Sequence, residues 1–350
     1  MNDFSPLSWD EFFDRKECVK TGDDKFNVYV KGSNGPLFFL LHGGGYTGLT
    51  WAVLSEQLSS AIECRILAPD LRNHGETEVK DGDDMSAESQ VNDVCNIYRH
   101  FYGHDNSKYP PTILIGHSMG GAIAIRTAAS GRLPNILVVS AIDVVEGSAM
   151  SSLCFMQQFL RSRPQHFPSI ERSIEWCVKS KTTSNLRAAK VSMPCRLKKV
   201  KDNSNGEVFQ WRTNLARTEP HWQGWFSGLS KLFLQCEPVK VLILANVDRL
   251  DKELMTGQMR GQFQLEVLPK VGHAVHEDSP ELVAKIFVTL VKRYNYSLTP
   301  NPMPCHLTDS AVFLAIVSKS YDDPVPNLII RKRMRAIRMV SPKASRHNFF

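Results

Sequence analysis

The stretch that most restricts how this chain can fold is Thr112-Ile113-Leu114-Ile115-Gly116-His117-Ser118-Met119-Gly120-Gly121, an apolar run ending in Gly-x-Ser-x-Gly and passing straight into an Ala-rich segment. Residues 112–115 are β-branched or aliphatic and predict a buried strand; residues 119–129 are mostly helix formers, stopped by Gly131. A strand that turns into a helix this sharply strains the serine backbone and needs neighbours without side chains, which Gly116 and Gly120 supply. The Ser118 hydroxyl then stands at the head of a helix, where backbone N–H groups receive negative charge. Gly-x-Ser-x-Gly alone also arises by chance; the strand before it and the helix after it are what make Ser118 a candidate nucleophile.

The rest of the chain supplies a setting for it. Residues 36–41 (Pro-Leu-Phe-Phe-Leu-Leu) form a continuous apolar run that fits a strand buried on both faces, as parallel sheets require, and they end in His42-Gly43-Gly44-Gly45. Three glycines after a central strand let backbone amides approach a ligand closely, as in the oxyanion loops of esterases. Further strands are expected at residues 65–69, 135–142, 239–245 and 263–268, alternating with helices at 49–58, 86–101, 251–258 and 280–293. Such alternation gives a mostly parallel, doubly wound α/β sheet. Asp70-Leu71-Arg72-Asn73-His74-Gly75 follows the strand at 65–69; opposite charges this close at a Gly-ended turn are read as a hydrogen-bonded scaffold, not catalytic groups.

The alternation lapses between residues 146 and 233, where Trp222, Trp225, Phe226 and Leu229 recur at helical spacing. An insertion between strands at this edge reads as a helical cap shaping the pocket, with a mobile charged loop at 198–207. The expected layout is therefore a core of residues 1–145 and 234–295, a cap of 146–233, and a basic, poorly ordered tail of 296–350.

Of the net charge of +6, the tail contributes +5 (8 Lys/Arg against 3 Asp/Glu), so the catalytic body is near neutral and offers no footprint for nucleic acid. The N-terminus has neither a basic nor an apolar leader segment, no run reaches membrane-spanning length, and the eight cysteines form no C-x-x-C pair. These features predict a cytoplasmic or nuclear protein with reduced thiols and no bound metal or cofactor.

A serine alcohol needs a base and a charge sink. His273, on the loop after the last strand, is the candidate base; His276 competes but falls at the start of the final helix. The acid has two candidates, Asp143 and Asp248, each at the carboxyl end of a strand. Asp248 stands beside Arg249, Asp251 and Lys252, as in a surface charge cluster, whereas Asp143 lies in an apolar frame where an unmet carboxylate is costly.

Taken together, His42-Gly43-Gly44-Gly45, the serine motif, Ile142-Asp143-Val144-Val145-Glu146-Gly147, Val247-Asp248-Arg249-Leu250-Asp251-Lys252 and Gly272-His273-Ala274-Val275-His276-Glu277-Asp278 resemble the protein phosphatase methylesterase family of α/β-hydrolases. The similarity runs over about residues 3–295. It implies an α/β-hydrolase fold and a triad of Ser118, Asp143 and His273, with the amides of Gly44 and Met119 as oxyanion donors. It also implies a substrate and partner, the type 2A protein phosphatase catalytic subunit, whose C-terminal leucine methyl ester would be hydrolysed. A broad carboxylesterase or acylglycerol lipase, and a non-catalytic phosphatase-binding protein on the same scaffold, are the rival readings. Relative to the family, the loop at 198–207 lacks a long acidic insertion, and the tail matches nothing.

Overall fold

A computed structural model describes residues 3–201 and 206–294. Its strands are β1 (Arg15–Thr21), β2 (Asp24–Lys31), β3 (Leu37–Leu41), β4 (Arg65–Pro69), β5 (Thr112–His117), β6 (Ile136–Ile142), β7 (His166–Phe167), β8 (Leu197–Lys201), β9 (Glu207–Trp211), β10 (Val239–Leu244) and β11 (Gln264–Val267). The helices are α1 (Ala52–Ala61), α2 (Ala87–Tyr102), α3 (Met119–Ala129), α4 (Glu146–Ser162), α5 (Ile170–Lys179), α6 (Leu186–Cys195), α7 (Glu219–Phe226), α8 (Leu229–Gln235), α9 (Lys252–Met259), α10 (Val275–Asp278) and α11 (Pro280–Tyr294).

Eight strands form one sheet in the order β1-β2-β4-β3-β5-β6-β10-β11. β1 pairs antiparallel with β2, and β2 with β4; the six strands from β4 to β11 are parallel. Parallel strands need both faces covered, and β3 shows the result: all five of its residues are buried. Leu37, Phe39 and Leu41 face one apolar layer with residues of α2, α3 and α8, while Phe38 and Leu40 face the other with residues of α1 and α11. This side-to-side alternation is the period-two geometry of a strand.

Helix α3 lies against the sheet with almost nothing between. A Cβ on Gly116 would come within 2.1 Å of the Gly120 carbonyl oxygen, and one on Gly120 within 2.3 Å of the Leu41 oxygen. Glycine at both places is therefore what lets the helix that follows Ser118 cross behind β3 and β5.

The segment between β6 and β10 holds helices α4 to α8, and also a three-stranded antiparallel sheet, β7-β9-β8. Of the stretch expected as a mobile loop at 198–207, residues 198–201 and 207 belong to two paired strands, with Leu197 opposite Trp211 and Lys201 opposite Glu207. The sheet closes over a small core of Phe167, Ile174, Cys177, Ala189, Met193 and Leu197. Residues 202–205 and the expected tail at 296–350 lie outside the described residues. Among the described residues no helix is long and apolar enough to cross a membrane.

Candidate active site

Register alone brings the candidate groups together. Leu41 pairs with Gly116, and His117 with Ile142, so the residues just past each strand end, His42, Ser118 and Asp143, stand side by side at one rim. The Ser118 N–H donates to the Ile142 carbonyl (3.0 Å) and the Asp143 N–H to the Ile243 carbonyl (2.8 Å), fixing each tip to its neighbour. Both residues have left-handed backbones, φ 51° at Ser118 and 53° at Asp143. A non-glycine residue in that region costs about 1–3 kcal/mol and persists only where its surroundings over-determine it.

Asp143 is buried, and three donors meet its carboxylate. Oδ2 accepts from His273 Nδ1 (2.7 Å) and from Arg249 Nη1 (2.7 Å), and Oδ1 accepts from the Ala245 N–H (3.1 Å). Donation from Nδ1 sets the tautomer in which Nε2 is the ring's acceptor. Asp248, the other acid considered, is exposed in a 3-10 turn with its carboxylate 3.4 Å from Asn246 Nδ2. Arg249, read from sequence as part of a surface cluster, turns inward to Asp143 instead.

The loop that would receive an oxyanion is braced by two neutral histidines. His42 Nδ1 donates to the Gly43 carbonyl (2.8 Å) and its Nε2 accepts from the Leu71 N–H (2.9 Å). His74 Nδ1 donates to the Arg72 carbonyl (2.8 Å), and its Nε2 accepts from the Gly45 N–H (2.9 Å). Burial pushes the pKa of His42 well below the usual imidazole range and that of His74 down to about 4, so both accept as well as donate at neutral pH. Asp70 is a buried hub taking hydrogen bonds from Asn27 Nδ2 and the Gly48 and Glu76 amides; burial raises its pKa to about 6. Arg72 forks onto Asp93 (2.5 and 2.9 Å). The turn after β4 is accordingly a scaffold, and His74 in it has a specific load, the Gly45 amide. Gly43 abuts the elbow: a Cβ there would meet Ser118 Cβ at 3.2 Å. Gly44 sits against Met119 and Leu215 side chains.

His117 and His276 are not free bases. His117 is fully buried, donates from Nε2 to the His273 backbone carbonyl (3.0 Å), and has its pKa held well below the usual range by burial and the neighbouring His273 and His276 rings. His276 is fully buried against Trp51 (ring centroids 4.1 Å apart) and donates from Nε2 to Thr50 Oγ1 (2.8 Å), and burial drops its pKa to about 3. The Thr50 hydroxyl passes on to Glu277 Oε1 (2.5 Å), which also meets Arg196 Nη2 (2.9 Å); Thr183 donates to the other oxygen. Burial pushes the Glu277 carboxyl up, but Arg196, His276 and the two hydroxyls outweigh it and hold it low. Asp278 takes the Gly272 amide on one oxygen and the Ser184 amide on the other, each at 2.6 Å. The loop bearing His273 is thereby stapled to residues 183–196. Among the described residues no group of three or more His, Cys, Asp or Glu is arranged to hold a metal ion.

With this geometry in view, similarities to known proteins fall into place. A model of the "Alpha/beta hydrolase family" matches residues 38–286. Among solved structures, E-2-(acetamidomethylene)succinate hydrolase superposes with a TM-score of 0.65 at 21% identity, covering 79% of this chain and 99% of that one. An esterase from Mycobacterium tuberculosis does so at 0.58 and 20% identity, covering 79% and 91%. At such identities the agreement speaks for the fold. Relatives by sequence are nearer. The chain is 50% identical over 283 residues to the probable protein phosphatase methylesterase 1 of Caenorhabditis elegans, covering 81% of this chain and 76% of that protein. It is 45% identical over 337 residues to the human protein phosphatase methylesterase 1, covering 84% and 86%. The chain belongs to the α/β-hydrolase family and, within it, to the protein phosphatase methylesterases.

Proposed function

We propose that this chain is a serine esterase that removes the methyl ester from the C-terminal leucine of the type 2A protein phosphatase catalytic subunit. The observation that carries the reading is the 2.7 Å bond between Asp143 Oδ2 and His273 Nδ1, on the strand tip beside a serine elbow. The relatives' names supply the substrate class, a methylated phosphatase.

In the proposed cycle His273 Nε2 takes the Ser118 proton as Oγ attacks the ester carbonyl. Asp143 fixes the imidazole tautomer and stabilises the imidazolium. The amides of Gly44 and Met119 receive the oxyanion, the second at the N-terminus of α3 where the helix dipole favours negative charge. Methanol leaves with the proton from His273. Water, deprotonated by the same ring, then attacks the acyl-serine and frees the peptide carboxylate.

Methyl release from methylated phosphatase tests the whole proposal. Ser118→Ala is expected to abolish release and covalent labelling by a fluorophosphonate while the phosphatase still binds. Turnover retained by that variant refutes the assignment.

A further inference from the structure

The carboxylate that orients His273 is shared. Asp143 Oδ2 takes an N–H from His273 Nδ1 and another from Arg249 Nη1, each at 2.7 Å, while Oδ1 takes the Ala245 N–H at 3.1 Å. Arg249 and Ala245 both belong to the turn after β10, whose Ile243 pairs with Ile142 at the tip of β6. A single turn thus donates to both oxygens, and the imidazole shares one of them. The Asp143 side chain has no exposure, so water does not balance its charge, whereas Arg249 keeps 26% of its side chain open. The other charged groups on the surrounding elements are engaged elsewhere. Glu146 takes the Gly228 and Ser230 amides, Asp248 lies by Asn246, Asp251 takes the Ser230 hydroxyl and the Leu254 amide, and Asp278 takes the Gly272 and Ser184 amides. Glu277 is matched by Arg196, and Lys181, Lys252 and Lys270 on the flanking loops are exposed. The His117 ring, 4.6 Å from that of His273, and the His276 ring beyond it are kept neutral by burial. Among the described residues Arg249 is the Lys or Arg side chain that pairs with Asp143.

We propose that Arg249 is a positioning residue that holds Asp143 ionised and aimed at His273 while disfavouring an extra proton on the ring, so that His273 stays a neutral base to lower pH. The inference rests on the esterase reading above. With Arg249 in place the three side chains together carry no net charge, and a proton added to the imidazole leaves a net positive charge at a largely buried site. Without Arg249 the pair of Asp143 and His273 is negative, and the same proton makes it neutral. Loss of the guanidinium therefore favours the imidazolium, the form that cannot take the Ser118 proton. A merely structural arginine would act alike at every pH.

The test follows the second-order rate at which a fluorophosphonate labels Ser118, from about pH 5 to about pH 9, in wild type, Arg249→Met, Arg249→Gln and Arg249→Lys. In Arg249→Met and Arg249→Gln the acid limb of the profile is expected to move up by about one pH unit, the partial exposure of the guanidinium holding the shift to that size. Arg249→Lys retains the charge and is expected to leave the limb within about 0.3 pH unit of wild type. Above the limb each variant is expected to label within about tenfold of the wild-type rate. A loss equal at every pH, a limb that moves by the same amount in all three variants, or one that moves in none, overturns the proposal. If circular dichroism shows Arg249→Met unfolded, the Gln and Lys variants decide between them. A wild type unlabelled at every pH refutes the serine-esterase reading itself. A wild type that is labelled but releases no methanol from methylated phosphatase refutes the substrate, while the profiles still judge Arg249.

Discussion

On the β4 side of the elbow, polar atoms are buried as neutral rings: His42 and His74 each donate from one nitrogen, accept at the other, and brace the loop of residues 42–45. On the side of Arg196 they are buried as charges: Arg196 pairs with Glu277, which also accepts from two threonine hydroxyls. Hydrogen-bonded neutral imidazoles lose little on leaving water and hold a backbone amide in a fixed place, which suits the oxyanion role proposed for the loop. A buried ion pair gains little net stability but is costly to break, so it specifies how two segments meet. One side is built for position and the other for assembly.

The sharpest break of that contrast lies at the group between the two sides. Asp143→Asn is expected to cut kcat by about 10⁴-fold with the fold intact, because an amide presents the wrong partner to His273 Nδ1; a loss under tenfold, in steady-state methyl release, would remove Asp143 from the mechanism. Glu277→Gln leaves Arg196 buried and unmatched and is expected to cost about 3–5 kcal/mol in chemical denaturation, much of it regained in the double variant with Arg196→Met. The neutral side is probed by acid. The pKa values of His42 and His74 are depressed in the folded state, so their stabilisation is present above the unfolded value near 6.5 and is lost as pH falls toward the folded ones. Each is expected to cost about 1 kcal/mol per pH unit below 6.5, read as a falling melting temperature between pH 7 and 5. His74→Ala, which frees the Gly45 amide, is expected to lower kcat about tenfold and leave KM nearly unchanged. Asp248→Asn is expected to change kcat less than about twofold; a ranking of the two Asn variants opposite to this one would move the acid to β10.

The sheet and its strand tips were legible because parallel strands declare themselves as continuous apolar runs. Leu37–Leu41 and Thr112–His117 are buried at every residue. The elbow was legible because two glycines flank one serine. The little sheet was not: Leu197–Lys201 buries only its first residue and carries three lysines, so nothing but its pairing with β9 makes it a strand. Arg249 was misjudged for a related reason. Its neighbours are charged and exposed, and only the turn after β10 aims it at Asp143. The scaffold at Asp70, Arg72 and His74 was read as structural from its charge spacing, but the task of His74 at Gly45 needs the loop from β3, distant in sequence.

The bare contact of α3 with β3 and β5 has a wider meaning. Packed elements slide past one another by re-fitting a layer of interposed side chains, and at Gly116 and Gly120 no such layer exists. The nucleophile is therefore welded to the sheet and cannot lean toward an awkward guest. Whatever yielding a bulky polypeptide end demands has to come from the opposite wall, where residues are joined by pairings that can part and reform.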